Sequence, residues 1–79
     1  MKAGMKKLAE DAIRREYPID RQLPGWFFRV REVSPSVYCV EGTDLWGRRV
    51  SETGTDEDEL LRSCVARARD VIAQTPGVP

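Results

Sequence analysis

The sequence predicts an α+β fold in the order α-β-β-β-α, and three observations carry that expectation. Trp26 to Thr53 alternates apolar and polar side chains with period two and is broken by two compact turn signals. Met5 to Tyr17 and Leu60 to Ile72 instead repeat their apolar residues at helical spacing. With 79 residues the chain is expected to be a single small domain over 1–79, with flexible tails at 1–4 and 75–79. Three adjacent strands make an antiparallel meander, and both helices are expected on one face of it.

Taking the elements in order, Met5, Leu8, Ala9, Ala12, Ile13 and Tyr17 form the apolar stripe of the first helix, and Lys6, Lys7, Glu10, Asp11, Arg14 and Arg15 are left for solvent. Pro18 ends it, because the residue before a proline is pushed out of the α region. Ile19 to Gly25 reads as a polar connector that turns at Pro24-Gly25 into the first strand.

The first strand ends at Ser34-Pro35-Ser36, where proline presets φ and has no N–H to give a ladder. Asp44-Leu45-Trp46-Gly47 is the sharper signal: Asp44 can cap a type I turn, and Gly47 supplies the positive φ of a bulged three-residue loop. A three-residue first loop puts Val30 opposite Val40, and the second loop puts Gly42 opposite Val50. One face then carries Trp26, Phe28, Val30, Tyr38, Val40 and Val50 as its core. The other carries Phe27, Arg29, Arg31, Val33, Val37, Cys39, Glu41, Arg49 and Ser51, with Arg29 across from Glu41. A two-residue first loop would pair Val30 with Glu41 and mix the faces, which disfavours it.

The last helix is announced by Gly54-Thr55, with Thr55 as the expected N-cap and Asp56, Glu57, Asp58 and Glu59 in the first turn, where carboxylates meet the positive end of the macrodipole. Leu60, Leu61, Cys64, Val65, Ala68, Val71 and Ile72 form the stripe of a helix lying on a sheet, leaving Arg62, Arg67 and Arg69 outside. The pattern stops near Gln74.

This order is similar to that of double-stranded-RNA-binding domains, which have a basic cluster at the start of the last helix and a groove-entering loop after the first strand. Here those positions hold Asp56-Glu57-Asp58-Glu59 and Ser34-Pro35-Ser36. The likeness is one of architecture, which does not carry function.

Composition narrows the function classes. Thirteen basic and thirteen acidic residues cancel, so nucleic-acid binding is not expected from the global charge. The chain has no histidine, its two cysteines lack metal or redox spacing, and Glu52 to Glu59 lacks the alternation of a calcium loop. Gly42, Gly47 and Gly54 read as separate turn glycines with no phosphate loop between them. No catalytic residue, metal, cofactor or small-molecule site is expected, and Cys64 reads as a buried hydrophobe. Without a signal peptide or a membrane-length apolar run, the expected compartment is the cytoplasm.

What remains is a binding surface. Phe27, Arg29, Arg31, Val37 and Arg49 are expected on an open sheet face, where arginine planes beside apolar surface suit a partner's carboxylates or a stacked base. Leu45 and Trp46 sit in the second turn, and an exposed tryptophan is a residue type enriched at interaction hot spots. The expected function is non-enzymatic binding of a protein partner or a second copy through this face and the 44–47 turn. The alternative is weak nucleic-acid binding through Arg29, Arg31 and Arg49.

Overall fold

The computed structural model describes residues 7–74; the expected helix start at Met5 and both tails, 1–4 and 75–79, lie outside the described residues. The elements follow the expected order: α1 (Glu10–Glu16), β1 (Trp26–Ser34), β2 (Val37–Asp44), β3 (Arg49–Gly54) and α2 (Glu57–Gln74). The strands form one antiparallel sheet in the order β1-β2-β3. Val30 faces Val40, Gly42 faces Val50 and Arg29 faces Glu41, as the period-two pattern requires.

The second turn has the chemistry its residues dictate, whereas the first is a two-residue turn and not the three-residue loop expected. Gly47 takes φ 91°, and the buried Asp44 carboxylate accepts the Trp46 and Arg48 amides, each at 2.9 Å. The same carboxylate pairs with the Arg48 guanidinium, which lies over the Trp26 ring. In the first turn Ser34 pairs directly with Val37, so the connection is Pro35-Ser36, with Ser36 at φ 62° and its amide on Glu32. The expected register survives because the ladder skips Val33 in a bulge, which takes up the extra residue on β1.

α2 covers the core face. Trp26, Phe28, Val40, Cys64, Val65 and Ala68 are buried together with Leu23, which the connector brings in beneath the helix. Asp56, one residue later than expected, is the N-cap: its carboxylate accepts the Glu59 amide at 3.2 Å and its carbonyl the Leu60 amide at 2.9 Å. Gly42 is a strand residue, not the turn glycine expected. A Cβ there would collide with the Phe28 ring, which packs against the bare backbone.

α1 is shorter than its stripe and departs from the expectation that the helices share one face. Ala9 has no side chain that caps a helix start, and the Leu8 amide is instead bonded to the Leu45 carbonyl at 2.6 Å. The helix meets the sheet through side chains that point away from α2: Arg14 lies 5.2 Å over the Phe27 ring, and Tyr17, just past α1, packs beneath Arg29 at 4.4 Å. Helical periodicity marks an apolar stripe without saying which side of a sheet will receive it. Beyond Pro18, Ile19 exchanges two backbone hydrogen bonds with Phe28, at 2.8 and 3.0 Å, and so lies along the outer edge of β1.

Candidate functional site

The face opposite α2 is only partly open. Phe27, expected there as an exposed contact, is buried at 4% exposure beneath Arg14, and Thr43 beside it on β2 is buried as well. Phe27 therefore leaves the set of accessible candidates; its direction in the strand was as expected, and the covering α1 decides its burial. Val37 and Cys39 are half-buried, Val33 is exposed in the bulge, and Arg31 is exposed.

The three arginines expected on this face divide into two groups. Arg29 is held between the Tyr17 ring and the Glu41 carboxylate, with Nε 2.6 Å from Oε1. Arg31 reaches the same carboxylate at 3.3 Å. The hydrogen bond from Arg29 holds the Glu41 carboxyl below the usual glutamate range, against the partial desolvation that pushes it up. Arg49, by contrast, is exposed and has no carboxylate partner among the described residues.

A groove of about 570 Å³ connects these groups. It begins at Tyr17, Arg29 and Glu41, passes the free edge of the sheet at Arg49, Val50 and Ser51, and ends on α2 at Arg67, Asp70, Val71 and Gln74. Arg67 belongs to this site although its sequence position said only that it lies outside the helix stripe. Its Nε is 3.0 Å from Glu52, so α2 is tied to β3 by an ion pair. Alternation along β3 pointed Glu52 toward the α2 side, and a pairing reading along that side could have found its partner.

Leu45 and Trp46 are both half-buried and do not line this groove. With Pro24, Trp26, Arg48 and Ile72 they line a second depression of about 530 Å³, which adjoins the groove where Arg48 precedes Arg49 and Ile72 follows Val71. The turn residues and the sheet arginines therefore line two neighbouring depressions.

The sulfur chemistry is quiet. Cys64 is fully buried, its thiol points at the Val40 carbonyl at 3.6 Å, and burial pushes its pKa up to about 11, with the nearby Glu52 charge acting in the same direction. Among the described residues no three metal-ligating side chains converge, and no helix is long and apolar enough to cross a membrane. Compared with protein-family models, curated proteins and solved structures, the chain matches none.

Proposed function

We propose that this protein is a small cytoplasmic, non-enzymatic binding module that holds an acidic segment of a protein partner in the groove between Arg29, Arg49 and Arg67. The supporting observation is Arg49: an exposed guanidinium without a counter-ion among the described residues, on the rim of a groove whose other two arginines are already oriented by carboxylates. A planar guanidinium takes a carboxylate in a two-bonded fork, and orientation by neighbours lowers the entropy that binding must overcome. Arg29 and Arg31 both spend charge on Glu41, which favours a protein partner over a nucleic-acid backbone as the occupant.

The test is affinity capture from lysate of the source cells with wild-type and Arg49→Glu baits, read by mass spectrometry. A partner retained by the wild type and by Arg49→Lys but lost on charge reversal is expected. The same proteins captured by all three baits would contradict the reading.

A further inference from the structure

The hydrogen-bond phase of the sheet says which backbone groups of β3 are free. The Asp44 amide bonds the Arg48 carbonyl at 3.2 Å, which makes that pair hydrogen-bonded. In an antiparallel ladder such pairs alternate with non-bonded ones, so Val50, Glu52 and Gly54 turn their N–H and C=O toward β2. Arg49, Ser51 and Thr53 turn theirs outward. The contact of Ile19 with Phe28 on the opposite edge fixes the same phase independently. Among the described residues no backbone group meets the outward amides and carbonyls of β3.

Resting on the proposed binding of an acidic segment, we infer that the groove takes this segment as an added β-strand, extended along β3 with alternating acidic and small apolar residues. Directly paired residues share a face, so acids on one side of the incoming strand fall beside Arg49. Its other side then falls beside Val50 and the α2 wall at Val71. A second copy fits this edge less well. The residues of β3 on the arginine face are Arg49, Ser51 and Thr53, so an antiparallel β3–β3 pair offers Arg49 no carboxylate on that face in any register. The outer edge of another copy's β1 is already occupied at Phe28, where Ile19 exchanges both backbone hydrogen bonds. Charge complementarity selects a separate acidic strand.

The probe is a fluorescein-labelled peptide of alternating valine and glutamate, about six residues long, compared with an oligoglutamate that does not favour an extended strand. Fluorescence anisotropy gives affinity, amide hydrogen exchange locates contacts, and sedimentation gives the oligomeric state. Expected are tighter binding of the alternating peptide and slowed exchange at Arg49, Ser51 and Thr53. Arg49→Glu should weaken it at least about tenfold. Ser51→Pro should abolish it without lowering the melting temperature, because proline is tolerated on an edge where its nitrogen faces solvent. Equal, Arg49-dependent binding of both peptides that ignores Ser51→Pro would overturn strand addition and leave the acidic-partner reading standing. Failure of both peptides to bind would remove both. A dimer that Ser51→Pro dissociates would show that the edge takes a second copy and overturn the inference.

Discussion

The two edges of this sheet are treated differently by the same chain. On β1 the connector after α1 returns to the strand, and the Trp26 amide bonds Leu23 at 3.0 Å while Phe28 exchanges both backbone groups with Ile19. Farther along, the bulge at Val33 interrupts the ladder, and Arg29 and Arg31 are both tied to Glu41. These are recognised ways of blunting an edge against a foreign strand. On β3 no segment returns among the described residues, none of their backbone groups meets the outward groups at Arg49, Ser51 and Thr53, and a groove runs alongside. The closed edge is where the core is anchored, and the open edge is where the proposed partner strand would be added. Substitutions on the two sides should therefore separate stability from binding.

The largest effect is expected at Trp26, which stands where the closed edge meets the core at 1% exposure. Trp26→Ala should cost about 3 to 5 kcal/mol, much of the stability of a domain this size, and a thermal melt reads it directly. Gly42→Ala comes next at about 1 to 3 kcal/mol, because the added methyl must displace the Phe28 ring. A Gly42→Ala protein with an unchanged melt would show that the ring does not lie where the fold needs it.

Glu41 sharpens the contrast on the arginine face. Its pKa is depressed in the folded protein, so its contribution is complete above the ordinary glutamate range and is lost as pH falls through the lower folded value. Stability measured by denaturant titration should decline across that acidic window. Glu41→Gln should cost about 1 kcal/mol near neutral pH and flatten that part of the profile. An unchanged acid limb in Glu41→Gln would mean that other carboxylates carry it. The smallest effect is expected at Trp46→Ser, within roughly 1 kcal/mol, since the ring is half-buried on the rim of the second depression. A melt as poor as that of Trp26→Ala would make the ring structural.

Much of this contrast was legible in the residues. Register, turn positions and the core face follow from period-two alternation, because a one-residue slip would have put Glu41 among Val30 and Phe28. The bulge at Val33 was not, since one extra strand residue and one extra loop residue give the same downstream register. Nor was the side chosen by α1, on which the burial of Phe27 depends. The closure of β1 rests on a lone bridge at Ile19, too short to leave any periodicity. Arg49 was legible as a candidate, but its freedom follows from Arg29 and Arg31 both choosing Glu41, a selection among partners that alternation does not rank.

Amide hydrogen exchange of the free protein, followed residue by residue by NMR, tests the difference between the edges most directly. Trp26 and Phe28 should exchange slowly, held by Leu23 and Ile19, while Arg49, Ser51 and Thr53 exchange at rates near those of an unstructured chain. Strong protection of Ser51 and Thr53 in the absence of any partner, or rapid exchange at Phe28, would contradict the account.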